Sequence, residues 1–373
     1  MSQLDNQEKL IMGVESSCDD SSVAFIGLET GQVHAEKTLN LSNFHKKFGG
    51  VVPEIAGREH LKAFIELLDQ RSFTTQLKDR IVAVACTTSP GLIGSLLVGV
   101  SHAKTIAWIL NKPFISIDHI EGHLFSAFIG QPKVDFPFTS FVASGGHTMI
   151  VKVDGLRNYE VLGKTTDDAI GEAYDKTAKI LGFEYPGGPI IDMISQNSDV
   201  APMELPLPLK NKKTLNFSLS GLKTAVLYAA QNKRLHNPQR ELRNLEDFQQ
   251  TASEYETREV AAIAKGFQRI ITKMFETRVR ESYRLTGHRT FTVCGGVSAN
   301  SSIRNSSSLL KQELGIEFIC PPLKYCGDNA AMIAYVGKLY FESDDFSDLD
   351  YLSLSPSPQG IFTSMNPIYE HIK

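Results

Sequence analysis

Apolar positions along the chain recur with two different periods. Leu10–Val14 and Ser22–Gly27 are short apolar runs on either side of "ESSCDDS", which reads as a β-hairpin with that polar stretch at its tip. Ile55, Leu61, Phe64, Ile65 and Leu68 fall at helical spacing and predict an amphipathic helix. Ile81–Ala85 reads as a buried strand, "TTSPGLIGS" turns it into an apolar helix over Leu96–Leu110, and Phe114–Ile117 is a further strand. The second half repeats the scheme. Phe138–Ala143 and Thr148–Val153 form a hairpin around "SGGH", and Glu254–Tyr283 is a long helical stretch. Phe291–Cys294 is a strand running into "GGVSAN", and Ile316–Ile319 one running into "CPPLKYCGDNAAM". Two halves that each open with a hairpin and then alternate strands with helices predict an α/β fold built twice, as two lobes with a ligand cleft between them.

Composition and charge add to this picture. At 373 residues the chain is too long for one small core, in keeping with two lobes. Lys and Arg number 38 against 42 Asp and Glu, a formal charge of −4, so nucleic-acid contact requires a local patch. Residues 203–243 offer one: Lys210, Lys212, Lys213, Lys223, Lys233, Arg234, Arg240 and Arg243 against Glu204 and Glu241, though a solvated loop would look the same. The five cysteines are scattered with no C-x-x-C pair, which points to a reducing compartment. The N-terminus has neither the apolar run of a signal peptide nor the arginines of a transit peptide. The apolar stretch around Leu92–Val100 is interrupted by Gly94, Ser95 and Gly99 and reads as too short for a membrane span, so a cytoplasmic protein is expected. After Phe341 the sequence is acidic and then Ser/Pro-rich, and residues 343–373 are expected to be poorly ordered.

The candidate chemistry starts with "DHIEGH". His119 and His123 stand at i and i+4, on one helix face, where two imidazoles can hold one cation; a pair of buried or capping histidines has the same spacing. A zincin peptidase needs glutamate directly after the first histidine, but Ile120 is there and Glu121 is turned by about 100° on the helix. Asp328 in "CGDNAAM" would complete a two-His, one-carboxylate set; alternatively it caps the following helix. In "VASGGHT", Gly145 and Gly146 after Ser144 would let backbone N–H groups approach an anion, or form a plain turn. Asn300, after the glycines of "CGGVSAN", offers both donor and acceptor to a nucleotide. Asp168, Glu172, Asp175 and Lys179 share helical spacing, which is ordinarily a solvated face. Neither a P-loop nor a G-x-G-x-x-G occurs.

The order of "GVESSCDDSS", "FGGVVPEIAGREH", "TTSPGLIGSLLVG", "HIEGH", "SGGHT", "GEAYDKTAKILGFEYPGGP", "FSLSGLKTAV", "GGVSAN" and "CGDNAAMIA", from about Ile11 to Tyr340, resembles the TsaD family. These are the tRNA N6-adenosine threonylcarbamoyltransferases, once described as O-sialoglycoprotein endopeptidases. The resemblance implies the bilobal actin-like/sugar-kinase/Hsp70 (ASKHA) fold. Lobe I would span 10–115, completed by a helix near 329–342, and lobe II 116–328 with both the adenylate and metal sites. It implies transfer of a threonylcarbamoyl group from threonylcarbamoyl-AMP to N6 of the adenosine 3′ of the anticodon, in tRNAs reading codons that begin with A, with release of AMP. The implied metal ligands are His119, His123 and Asp328, holding one divalent metal per subunit, iron (Fe2+) ahead of zinc. The implied adenylate contacts are Val142, Ala143, Ser144, Gly145, Gly146, Asp175, Gly188, Asp192 and Asn300. Implied partners, beside tRNA, are a TsaB-like paralogue and a TsaE-like ATPase, with no membrane. Cys18 has no basic neighbour in its motif to make it a nucleophile, and Asp20 stands where many members carry glutamate.

Overall fold

The computed structural model describes residues 8–40, 53–68, 77–196, 199–210, 214–236, 243–346 and 351–367. The chain divides into two compact units, Met1–Phe136 with Pro321–Met365, and Pro137–Cys320 with Asn366–Lys373.

The first unit contains β1 (Leu10–Glu15), β2 (Asp20–Gly27), β3 (Val33–Asn40), α1 (Pro53–Leu68), β4 (Ile81–Ser89), α2 (Ile93–Leu110), β5 (Phe114–Asp118) and α3 (His119–Phe125). Its sheet runs β3-β2-β1-β4-β5. The first three strands form an antiparallel meander, and β4 and β5 add in parallel. The parallel strands need crossover connections, which the helices supply. Every residue of β1 is buried, which explains its unbroken apolar run.

The second unit repeats this order. It contains β6 (Phe138–Ala143), β7 (Thr148–Gly155), β8 (Asn158–Lys164), α4 (Ile170–Ile180), α5 (Gly187–Gln196), α6 (Ser220–Asn232), α7 (Leu245–Thr251), α8 (Glu254–Thr286), β9 (Thr290–Cys294), α9 (Ser301–Leu314) and β10 (Glu317–Ile319). Its sheet runs β10-β9-β6-β7-β8, again a three-strand meander extended by two parallel strands. The fold built twice is therefore present in the strand order itself.

The chain then returns to the first unit as α10 (Ala330–Glu342) and α11 (Ile361–Ser364). Two glycines let α10 lie directly on the first sheet. A Cβ on Gly13 would sit 2.3 Å from Ala330 O, and one on Gly337 2.4 Å from the Ala85 Cβ. This return moves the division of the chain. The boundaries fall after Phe136 and Cys320, rather than after residues 115 and 328, so His119 and His123 share the first unit with Asp328. The reason is packing: α3 rests against α10.

Two further expectations change. The apolar helix after β4 is 18 residues long, and among the described residues it is the one helix long and apolar enough to cross a membrane. Leu96, Val100, Ala103 and Ala107 form its buried stripe, and it packs on β4 and α1. The C-terminal segment is not poorly ordered where it is described. Tyr351 stacks on Phe114 with ring centroids 5.7 Å apart, Leu354 packs against the first unit's core, and Phe362 is buried. Residues 1–7, 48–52, 347–350 and 368–373, together with Lys212, Lys213 and Arg240, lie outside the described residues.

Candidate metal centre

Strand β5 ends at Asp118, whose Oδ1 accepts the backbone N–H groups of Ile120 (2.9 Å) and Glu121 (3.4 Å). This cap starts α3 at the first histidine and puts His119 and His123 on one face. Their rings meet edge-on, centroids 4.7 Å apart. Asp328, in the turn before α10, brings Oδ1 to 3.1 Å from His123 Nε2 and 3.5 Å from His119 Nε2. One ligand atom from each residue lies within 4.8 Å of the other two. His123 is fully buried, and the approach of Asp328 lacks hydrogen-bond geometry, so neither ring nitrogen has a hydrogen-bond partner. Leaving a buried polar group unsatisfied costs about 1–3 kcal/mol. A cation among these three side chains would satisfy His123 Nε2, the nitrogen that faces Asp328, and two imidazoles with one carboxylate suit zinc or iron. The residues fit a metal.

Behind His119 lies a buried polar layer. Its Nδ1 is 3.2 Å from Glu15 Oε2 and 3.0 Å from Ser17 Oγ. Glu15 Oε2 also accepts the Thr87 hydroxyl at 2.5 Å, and Oε1 accepts the Ser17 N–H at 2.6 Å. A carboxylate only accepts, so it holds the proton on Nδ1 and leaves Nε2 to face Asp328. Burial alone would lower the pKa of His119, but the carboxylates of Asp328 and Glu15 outweigh it and push it up to about 9 in the metal-free site. Burial works to raise the pKa of Glu15, and the charge on His119 reverses this and holds it below its ordinary value. Cys18 and Asp19 also reach within 4.8 Å of Asp328. Burial and then the carboxylates of Asp328, Asp19, Glu15 and Asp20 hold the Cys18 thiol well above its ordinary pKa, so it is no thiolate nucleophile. Glu121 is buried and accepts the hydroxyl of Tyr340 from α10, so this glutamate is engaged by the fold rather than placed as a peptidase's general base.

In the second unit, Val142 and Ala143 end β6, and Ser144 to His147 form the turn into β7. Ser144 N–H donates to His147 O (2.8 Å), and His147 N–H to Ser144 Oγ (3.2 Å). Gly145 and Gly146 are exposed, and a Cβ on either would meet nothing within 4 Å. Asp175 Oδ1 accepts Gly187 N–H at 2.7 Å, at the start of α5. Gly188 beside it also faces open space. Asp192 accepts from Gln268 Nε2 (2.5 Å), Ser301 Oγ (2.6 Å) and Ser301 N–H (3.0 Å). Asn300 caps α9 through Oδ1, and its Nδ2 donates to Gln268 Oε1 (3.1 Å) and Tyr174 Oη (3.3 Å). Gln268 thus joins Asp192 and Asn300 in one network. Asp168 precedes α4 rather than sharing its face, and binds Lys176 and Lys223, both at 2.8 Å. The basic stretch is largely neutralised where described: Lys223 is paired with Asp168, Lys233 with Glu259 and Arg243 with Glu256.

A family model for TsaD, tRNA N6-adenosine threonylcarbamoyltransferase, matches residues 32–335. Proteins of that name from Thermosipho africanus and Bartonella henselae are each 40% identical to this chain. The first aligns over 89% of this chain and 94% of its own length, the second over 93% and 94%. The chain belongs to the TsaD family. Among solved structures, full-length HypF in a phosphate- and nucleotide-bound form has a TM-score of 0.54 at 12% identity, covering 91% of this chain and 48% of that one. HypF from T. kodakarensis gives 0.52 at 13%, covering 90% and 48%. At these identities the likeness concerns the fold alone, an ASKHA-type α/β fold.

As a TsaD, the chain is a transferase of tRNA modification, and its motifs sort by what each side chain touches. "HIEGH" and "CGDNAAM" supply the three side chains whose candidate ligand atoms converge. "GVESSCDDSS" supplies Glu15 and Ser17 behind His119, a role that sequence reading did not assign. The signal available was an acid in an otherwise apolar strand. Gln268 was missed altogether, since one buried polar position in the 33-residue α8 has no sequence mark of its own.

Proposed function

We propose that this TsaD moves the threonylcarbamoyl group of threonylcarbamoyl-AMP onto N6 of the adenosine 3′ of the anticodon, in tRNAs reading codons that begin with A. The N6–carbon bond forms, the bond from the carbonyl carbon to the phosphate oxygen breaks, N6 loses a proton, and AMP leaves. The observation that carries this reading is the His119–His123–Asp328 cluster, with its unsatisfied buried imidazole, in a chain of this family.

In this reading one divalent metal, iron (Fe2+) ahead of zinc, is held by His119, His123 and Asp328, and when bound it supplies Lewis-acid stabilisation to a carbonyl or phosphoryl oxygen. Glu15 fixes the tautomer and orientation of His119. The turn after Val142 and Ala143 offers backbone N–H groups to the adenylate's phosphate, with Gly145 and Gly146 leaving room beside Ser144. Asp175, Gly188, Asp192 and Asn300 take the nucleoside, with Gln268 holding two of them in place. AMP is a good leaving group, so no covalent enzyme intermediate is required.

The partners in this reading are tRNA, a TsaB-like paralogue and a TsaE-like ATPase, in the cytoplasm. Exposed apolar side chains on two helices that pack together, Leu61 at 49% and Ile65 at 61% on α1 and Ile93 and Leu97 on α2, support docking of the paralogue. Sedimentation of the pair should lose its complex when Leu61 and Ile65 are both changed to Asp. The reaction is tested by mixing protein, threonylcarbamoyl-AMP and unmodified tRNA, with and without both partners, and seeking N6-threonylcarbamoyladenosine by mass spectrometry. Product from wild type and none from His119→Ala supports the reading. ATP turnover without tRNA, and no modified nucleoside, would instead indicate a phosphotransferase of the same fold.

A further inference from the structure

The C-terminal segment and the histidine helix meet at one side chain. Asp118 Oδ1 caps α3, and Asp118 Oδ2 accepts the backbone N–H of Ile361 at 2.8 Å. The approach is close enough to need glycine at position 360, where a Cβ would lie 2.3 Å from Asp118 Oδ2 and 2.5 Å from the Pro90 Cδ. The segment is anchored on both sides of this contact. Ser357 N–H donates to Thr88 O at 2.9 Å, at the end of β4, and Phe362 is buried. Upstream, Lys104 Nζ donates to the carbonyls of Leu352 (3.1 Å) and Leu354 (2.5 Å). The segment follows α10, at whose N-terminus Asp328 stands. It therefore links the element carrying the carboxylate ligand to the cap of the helix carrying both histidines.

We propose that residues 351–364 are a strap that fixes the start of α3, and that Gly360, Ile361 and Asp118 are positioning residues for the metal ligands. The strap's role toward a metal rests on the reading of His119, His123 and Asp328 as ligands. Its mechanical part does not. With Oδ2 engaged, the Asp118 carboxylate cannot swing away from the Ile120 and Glu121 N–H groups, so His119 is held at the first helical position. Partners behind metal ligands are typically worth about 10–100-fold in metal affinity.

Position 361 allows a specific test. Ile361 is the first residue of α11, where proline is tolerated, and Gly360 is extended (φ −103°, ψ 179°), as a residue before proline must be. Ile361→Pro thus deletes the N–H that binds Asp118 and spares the local helix, whereas Ile361→Ala keeps the N–H and trims only a side chain that is 42% exposed. In the full chain, hydrogen–deuterium exchange of peptides covering α3 should accelerate in Ile361→Pro and match wild type in Ile361→Ala. Co2+ affinity should fall about 10–100-fold in the proline variant, with altered visible d–d bands, and stay unchanged in the alanine variant. Gly360→Ala, which forces a methyl against Asp118, should behave like Ile361→Pro and decides the matter where the proline variant does not fold. Wild-type exchange in Ile361→Pro and Gly360→Ala, or equal losses in Ile361→Ala and Ile361→Pro, would overturn the strap. If wild-type protein takes up no Co2+, the metal reading falls, and the exchange result alone decides the strap.

Discussion

Glu15→Gln perturbs the layer behind the proposed metal ligands while changing one heavy atom. Glu15 is fully buried and accepts three donors: His119 Nδ1 and Thr87 Oγ1 at Oε2, and Ser17 N–H at Oε1. A glutamine has one oxygen and one NH2 group. If the NH2 takes the Oε2 position it faces His119 and Thr87, and if it takes the Oε1 position it faces the Ser17 N–H. Either orientation sets donor against donor. In the first orientation His119 loses its acceptor at Nδ1, and in the second it keeps only a neutral amide oxygen in place of a carboxylate. Hydrogen bonds to a charged group are worth about 1.5–3 kcal/mol, and tenfold in affinity corresponds to about 1.4 kcal/mol. Metal affinity should therefore fall about 10–100-fold, the range expected for a partner behind a ligand. Competition with a chromophoric chelator for Zn2+ or Co2+ measures it, with circular dichroism establishing that the variant is folded. A folded Glu15→Gln protein of unchanged metal affinity would refute the assignment of Glu15 as the group that orients His119.

Three further outcomes follow from the same contacts. Tyr340→Phe leaves buried Glu121 without its hydroxyl donor and should cost about 1–3 kcal/mol in urea unfolding, with metal stoichiometry unchanged; loss of metal would mean that the two are coupled. Asp192→Ala removes three hydrogen bonds that hold Ser301 and Gln268, and should weaken threonylcarbamoyl-adenylate binding about tenfold or more by calorimetry, from about 1.5–3 kcal/mol per bond to a charged group. In chelator-treated protein, the raised pKa of His119 gives stability that is complete below its ordinary value of 6.5 and is lost as pH rises through about 9. Asp20, which burial and neighbouring carboxylates raise from 3.8 to about 8, adds a penalty that grows with pH across that interval. The melting temperature should thus fall between pH 6.5 and 9 without metal and fall less with metal, which occupies His119 in place of the proton; equal slopes would contradict this.

The strands and helices that pack on a core were legible because burial forces their periodicity. β1, β4, β6 and α8 are examples, each predicted within a few residues of its observed bounds. β3 and β8 were not legible. Each lies at an edge of its sheet and mixes polar residues such as Glu36, Lys37, Asn158 and Glu160 with apolar ones. The C-terminal segment was misread for a related reason. Its composition is polar, but three side chains, Tyr351, Leu354 and Phe362, suffice to anchor it on a surface that already exists. At the candidate metal centre, spacing suggested the two histidines, and Asp328, 205 residues beyond His123, was readable either as a third ligand or as a helix cap. The family resemblance chose between the two readings, and the folded chain brings the three candidate ligand atoms together. Glu15 and Tyr340 were invisible for the same reason, since each acts through a partner more than a hundred residues away in the chain.

Metal titration of the transfer reaction asks whether His119, His123 and Asp328 carry the chemistry. Protein freed of metal by chelation is given increasing Fe2+, or separately Zn2+, in the presence of threonylcarbamoyl-AMP, tRNA and both partners, and N6-threonylcarbamoyladenosine is counted per enzyme. No product is expected at zero metal, saturation near one equivalent in wild type, and none at any metal level in Asp328→Ala. Full product from chelated wild type, or from Asp328→Ala, would contradict a transferase centred on His119, His123 and Asp328.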